Sequence, residues 1–156
     1  MMTNLKLRKS HPPSSTELGR VLALVPELNL QFDENAADAL LAHDGTLFIA
    51  EIDGELAGFK AGYDRYQDGS YYSWLGGVIP AFRRYGVAQS LLEAQEVWAL
   101  ESGYNGIYVK TRNRFVGMRI FLAKNGYEVT GVELPKGEAR PEARIMHYKA
   151  IESEVA

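Results

Sequence analysis

Apolar and polar positions alternate at the start of the chain, where Leu5 and Leu7 interleave with Lys6 and Arg8. This is the pattern of a short first strand, and His11-Pro12-Pro13 stops it. Ser14 then stands three residues before Glu17, the spacing of a helix capping box. Leu18, Val21, Leu22 and Val25 follow at helical spacing, with the end of the helix expected before Pro26 or soon after. A second short helix is expected over Glu34 to His43, closed near Asp44-Gly45. Three strands come next: Thr46 to Ile52, Glu55 to Tyr63 and Ser70 to Ile79. Asp53-Gly54 joins the first two as a two-residue hairpin turn, and the polar loop Asp64 to Gly69 joins the second pair.

The period then changes. Val87, Leu91, Ala94 and Trp98 make one stripe of a long helix over Gly86 to Ser102, with Gly103 as its stop. Gly106 to Thr111 reads as a strand and Arg114 to Asn125 as a helix closed by Asn125-Gly126. Tyr127 to Leu134 and Ala143 to Ala150 are two last strands around Pro135-Lys136-Gly137. The strand–helix–strand unit from Ser70 to Thr111 calls for a right-handed parallel crossover, and the remaining pairings are expected to be antiparallel or mixed. The expected fold is α/β in the α+β sense. A central, mixed, mostly antiparallel sheet of about six to seven strands is flanked by about four helices.

Composition narrows the chemistry. The chain has 156 residues, expected to form one domain over 1–156. Seventeen Lys and Arg against twenty Asp and Glu give a net charge of −3, which argues against a nucleic-acid-coating or membrane-surface protein. Cysteine is absent, so disulfides, thiolate nucleophiles and Cys-based metal sites are excluded. His11, His43 and His147 are not at metal-ligand spacing, and no metal is expected. No apolar run approaches a membrane span and no secretory signal opens the chain, so a cytoplasmic protein is expected, as monomer or homodimer. There is no Gly-Lys-Ser/Thr phosphate loop, no GxGxxG after a strand and no GxSxG elbow.

The informative segment is Gly76-Gly77-Val78-Ile79-Pro80-Ala81-Phe82-Arg83-Arg84-Tyr85-Gly86-Val87-Ala88. A strand ends, a turn carries two arginines, and a helix begins at a glycine followed by small residues. Free backbone N–H groups at a helix start carry about half a positive charge and suit an anion such as a pyrophosphate. The paired glycines are open to two readings: a bulge that frees backbone for a ligand, or room for a large neighbour such as Trp74 or Trp98.

The run Val78-x-Pro80-x-x-Arg83-x-x-Gly86-Val87-Ala88 resembles the acetyl-CoA-binding motif of the GNAT superfamily of N-acetyltransferases, and Lys124-Asn125-Gly126-Tyr127 is similar to that family's last motif. The resemblance implies a GNAT-like fold and transfer of an acetyl group from acetyl-CoA to a primary amine on a small molecule or protein. It implies that the loop of Arg83, Arg84, Tyr85, Gly86, Val87 and Ala88 binds the CoA pyrophosphate, and that the backbone around Val78 holds the pantetheine and polarises the thioester. It implies that Asn113 contacts the cofactor, although the family's usual spacing would put that asparagine nearer Phe115.

Two positions depart from the family pattern. The tyrosine that often protonates the departing thiolate is Leu122 here, and a glutamate often found on the strand before the loop is Tyr72. Tyr72 is the candidate catalytic residue, expected to share a face with Trp74, Gly76 and Val78, against the alternative of a packing tyrosine. Glu51 and Asp64 are water-mediated base candidates that read more simply as solvated strand-end charges. Tyr63, Tyr66, Tyr71, Tyr72 and Trp74 would line an acceptor pocket for an ammonium, or are ordinary strand aromatics. The alternative function is a non-catalytic acyl-CoA-binding module on the same fold.

Overall fold

The computed structural model describes residues 4–23, 34–137 and 142–152. Its elements are β1 (Leu5–Ser10), α1 (Ser15–Ala23), α2 (Glu34–Ala42), β2 (Thr46–Ile52), β3 (Glu55–Tyr63), β4 (Ser70–Val78), α3 (Val87–Glu101), β5 (Gly106–Arg112), α4 (Val116–Lys124), β6 (Glu128–Glu133) and β7 (Arg144–Ala150). The order matches the expected one, with ends differing by one or two residues at most elements. The side chain of Leu22, with Val25 and Pro26, lies outside the described residues. Ser14 accepts the Glu17 N–H as an N-cap should, but the Glu17 carboxylate does not turn back to complete the box. It goes to Arg8 at 2.7 Å and Ser10 at 3.0 Å, because β1 lies alongside and offers a charged partner.

The seven strands form one sheet in the order β1-β2-β3-β4-β5-β7-β6. Only β4 and β5 run parallel. The hairpin turn between β2 and β3 is as the sequence predicts, with positive φ at both Asp53 and Gly54. Two cores cover the two faces. Phe48, Ala50, Tyr71, Leu91, Leu92, Trp98, Ile107, Val109 and Leu122 gather under α3 and α4. Leu18, Val21, Leu40, Leu47, Ile49, Phe59, Tyr63, Tyr72 and Leu75 gather under α1 and α2. The buried side of α3 is wider than the expected stripe, taking in Leu92, Gln95 and Ala99. Among the described residues no helix is long and apolar enough to cross a membrane.

The irregularity in β4 is not at the paired glycines. Gly76 pairs with Lys60 and Gly77 with Phe59 in regular register. The shift falls between Ala61↔Leu75 and Gly62↔Ser73, which leaves Trp74 as the extra residue of a bulge. The glycines instead belong to a surface of close approach. A Cβ at Gly58 would lie 2.8 Å from the Gly77 carbonyl oxygen and 2.9 Å from Cγ1 of Val87 on α3. At Gly62, beside the bulge, a Cβ would lie 2.7 Å from both the Tyr71 ring and the Tyr72 carbonyl oxygen. Backbone cannot yield there, so Gly62→Ala is expected to destabilise the fold by roughly 1–3 kcal/mol. Urea unfolding measures it, and an unchanged midpoint would contradict the packing.

Candidate active site

β4 and β5 are paired over four residues only, from Ser70↔Gly106 to Ser73↔Val109. Beyond Ser73, β4 stays with β3 as far as Gly58↔Val78, and β5 stays with β7 as far as Arg112↔Arg144. The sheet is therefore split by a seam whose two edges, Trp74–Val78 and Lys110–Arg112, carry backbone groups not paired with each other. The seam opens toward the turn that leads into α3. There the chain makes a short 3-10 turn over Pro80–Phe82 and reaches Gly86, the N-cap of α3, at φ +76°. Arg84, although not glycine, is also held at positive φ. No side chain caps α3 and no acidic residue stands in its first turn. Its first backbone bond is Ser90 N–H to the Gly86 carbonyl, so the N–H groups of Val87, Ala88 and Gln89 have no carbonyl within the helix to reach.

A cavity of about 270 Å³ sits at this point, lined by Val78, Phe82, Arg83, Arg84, Gly86, Val87, Ala88, Gln89 and, from α4, Phe121. Six of the expected cofactor residues are thus brought together. Tyr85 is not in the lining; it is half exposed and packs edge-on against Phe82. Asn113 is exposed and serves the backbone: its N–H reaches the Ala143 carbonyl, and its own carbonyl accepts from Arg119.

The face of the seam toward α3 holds polar groups that the sequence reading did not single out. Lys60 lies opposite Phe48 and is nine-tenths buried. Its side chain runs across β4, with Nζ 3.8 Å from where a Gly76 Cβ would stand. Among the described residues its ammonium has no hydrogen-bond partner, and burial lowers its pKa from the usual 10.5 to about 8, with the Glu96 carboxylate opposing that shift. Gln95 on α3 is fully buried with both amide atoms unpartnered, and Thr111 Oγ1 and His147 Nδ1 are buried and unpartnered as well. Such groups usually find partners, and each left without one costs about 1–3 kcal/mol. Their concentration along one seam marks it as a place for a polar ligand. Leu122 is packed in the core on this same side. Lys60 has one sequence signal, a charge set between Phe59 and Ala61 in a strand whose other charge, Glu55, stands at its first position.

The opposite face carries the aromatic cluster. The Trp74 bulge resets the alternation, so Tyr72 faces the α1 and α2 side while Val78 packs on the α3 side. The expected shared face of Tyr72 and Val78 is therefore not formed. Tyr72 stacks edge-on with Tyr63 and Tyr66, and burial pushes its hydroxyl up to about 12. Tyr71 leaves the group, joining Trp98 and Tyr104 on the α3 side. The place where an ammonium would sit between the rings is taken by Arg65, whose guanidinium carbon lies 4.9 Å from the Tyr72 ring and 5.6 Å from the Tyr66 ring. Glu51 is paired with Arg8 at 2.9 Å, and Asp64 organises its own loop by accepting the Gln67 N–H. His11 bonds Asp44, while burial lowers the His147 pKa and favours its neutral form.

The buried lysine makes stability depend on pH in a defined direction. Below pH 8 both folded and unfolded chains hold the proton, and the full burial penalty stands. Between pH 8 and 10.5 the unfolded chain binds more protons, so stability rises with pH. Lys60→Met is expected to stabilise the protein at pH 7 by about 3 kcal/mol and to flatten the rise. Urea midpoints at pH 7 and 10 for both proteins measure this; midpoints that move in parallel would contradict it.

The sequence profile described as the Acetyltransferase (GNAT) family matches residues 12–127. Among solved structures, Ard1 from Thermoplasma volcanium is 18% identical and superposes with a TM-score of 0.77 over 96% of this chain and 99% of that one. The protein yncA from Salmonella typhimurium, solved with its cofactor acetyl-CoA, is 15% identical with a TM-score of 0.74, covering 97% and 96%. Nourseothricin acetyltransferase is 22% identical with a TM-score of 0.64, covering 70% of this chain and 66% of its own length, so this chain spans just under two thirds of that relative. At these identities the superpositions speak for the fold. With the profile covering most of the chain, the split sheet and the uncapped α3 are those of a member of the GNAT acetyltransferase family.

Proposed function

We propose that this chain, acting as one domain over residues 1–156, transfers an acetyl group from acetyl-CoA to a primary amine. The observation that carries the reading is the seam between β4 and β5 leading to the uncapped start of α3. The N–H groups of Val87, Ala88 and Gln89, the positive end of α3 and the Arg83 and Arg84 guanidinium groups would hold the pyrophosphate. Gly86 leaves open space where a side chain would otherwise approach it, since nothing lies within 4 Å of its Cβ position. The backbone of Val78, on the free edge of β4, would bind the pantetheine as an added strand. The unpartnered Gln95, Thr111 and His147 groups would take its amides or bridging waters.

Bound acetyl-CoA supplies a thioester, an acyl group already activated toward an amine. The protein's part is to polarise the carbonyl with backbone N–H donors on β4, to hold the acceptor in line and to receive its proton. An amine near its reference pKa of about 10 is mostly protonated at neutral pH, so its deprotonation gives the rate a rising acid limb. The acceptor is an amine of a small molecule or a protein, reaching the seam from the α1 and α2 side. On that side the Arg65 guanidinium lies over the Tyr66 and Tyr72 rings.

A second reading is favoured by one feature. Leu122 puts a buried methyl-bearing side chain where the resemblance expects an acid, which suits an acyl-CoA-binding module without turnover.

Calorimetric titration separates these. The wild type is expected to bind acetyl-CoA at micromolar levels, and the Arg83→Ala, Gly86→Glu double variant about 100-fold more weakly. Absence of heat with acetyl-CoA, CoA and a longer acyl-CoA would remove the cofactor assignment. Binding without CoA release across a panel of amines would favour the module.

A further inference from the structure

Lys60 is an ammonium in an unusual place. It is nine-tenths buried, its ammonium has no hydrogen-bond partner among the described residues, and it lies across Gly76 on the part of β4 not paired with β5. Buried lysines are rare unless paired. The one charge acting on it is Glu96 of α3, and that carboxylate is already engaged. Lys149 Nζ holds it at 3.0 and 3.1 Å, and the Tyr127 hydroxyl donates to it at 2.9 Å. From β2 and β4, Lys60 meets Phe48 and Gly76, which carry no charge. His147 of β7 is on the same side of the sheet and is favoured in its neutral form by burial. Nothing in the packing of the fold explains why this position retains a charge.

The direction of the seam does. A ligand anchored by its pyrophosphate at the start of α3 runs back along β4, so its reacting end lies toward Gly76 and the bulge at Trp74. That is where Lys60 Nζ sits. The side of the seam is also right. Leu122 of α4 packs in the same core layer, and a leucine has no proton to give.

Resting on the acetyl-transfer reading, we propose that Lys60 is a catalytic residue of this protein: its Nζ, lying over Gly76 beneath the seam, delivers the proton to the departing CoA sulfur. The neutral acceptor nitrogen forms a bond to the thioester carbonyl carbon. The carbon–sulfur bond breaks and its electron pair stays on sulfur. One Nζ–H proton passes to that sulfur, giving the free thiol, and leaves Lys60 as a neutral amine. The surplus proton of the new amide nitrogen goes to solvent, and Lys60 takes one back. The sum is one amine and one acetyl thioester giving one amide and one thiol. An ordinary lysine would be a poor donor to a thiolate whose conjugate acid has a pKa of about 8.5. A lysine lowered to about 8 by burial is matched to it.

Lys60→Met, Lys60→Gln and Lys60→Arg test this in the full chain, with acetyl-CoA binding by calorimetry as the check on folding. Two readouts are taken: the pH profile of CoA release, and the ultraviolet thiolate absorbance of bound CoA titrated with pH. In the wild type, kcat should fall above pH 8, and bound CoA should ionise at lower pH than free CoA because an ammonium faces its sulfur. Lys60→Met and Lys60→Gln should lower kcat roughly 100-fold or more, leave KM for acetyl-CoA within about twofold, and abolish both the alkaline fall and the early thiolate. Lys60→Arg should keep the early thiolate but not the rate, since arginine does not release its proton. Unchanged kcat and thiolate titration in Lys60→Met and Lys60→Gln would overturn the proposal. Full rate in Lys60→Arg would overturn proton donation in favour of charge alone. Should the wild type bind CoA yet release none with any amine, the acetyl-transfer reading fails, and the thiolate titration still decides whether Lys60 meets the sulfur.

Discussion

Strands β4 and β5 part after four paired residues, and the rest of the molecule is arranged around that parting. Two parallel strands that diverge within a sheet expose backbone donors and acceptors that the fold does not itself satisfy. In a closed core this would be destabilising. Here each half of the sheet is secured from its far side, β4 by its antiparallel register with β3 and β5 by seven pairs with β7. The seam therefore stays open, and its unpaired edges remain available to a ligand that can pair as a strand does.

The Trp74 bulge is the local device behind this geometry. One extra residue in β4 turns the strand away from β5 and exchanges which side chains face which layer. It sends Tyr72 into the aromatic group with Arg65 and places Val78 and Gly76 toward α3. A methyl group at Gly58 or Gly62 would collide with the β4 carbonyl oxygens of Gly77 and Tyr72 and with the Val87 and Gln95 side chains of α3. The seam thus leads directly into the turn that opens α3.

The polar residues of the seam are arranged with different degrees of satisfaction. On the outer α3 side, Glu96, Lys149 and Tyr127 form a closed network in which each charge has a partner. On the inner side, both amide atoms of Gln95, Thr111 Oγ1 and His147 Nδ1 have no hydrogen-bond partner among the described residues. Stability is given up at the inner side, the pattern expected where residues are retained for a ligand rather than for the fold. The Leu122 position fits the same picture, since an apolar residue on α4 keeps the layer packed while Lys60 of β3 places a charge beside Gly76.

Much of this was legible in the residues themselves. Asp53-Gly54 set the β2–β3 hairpin because both positions accept positive φ. The stretch from Val78 to Ala88 marks the strand-to-helix turn into α3, because Pro80 suits the end of a strand and Gly86 accepts positive φ at the helix start. Alternation and helical period sufficed for the element order, since burial of one face is a local demand on sequence. What the sequence did not reveal depended on register. A bulge moves by a residue or two without changing composition, so Gly76-Gly77 suggests one where Trp74 carries it, and Tyr72 keeps Trp74 but not Gly76 and Val78 on its face. A lysine between Phe59 and Ala61 is a weak signal, because its isolation arises from Phe48, Gly76 and Glu96, which are distant in sequence. Local chemistry belongs to the sequence; which groups are left without partners was decided by the tertiary structure, because satisfaction depends on every neighbour at once.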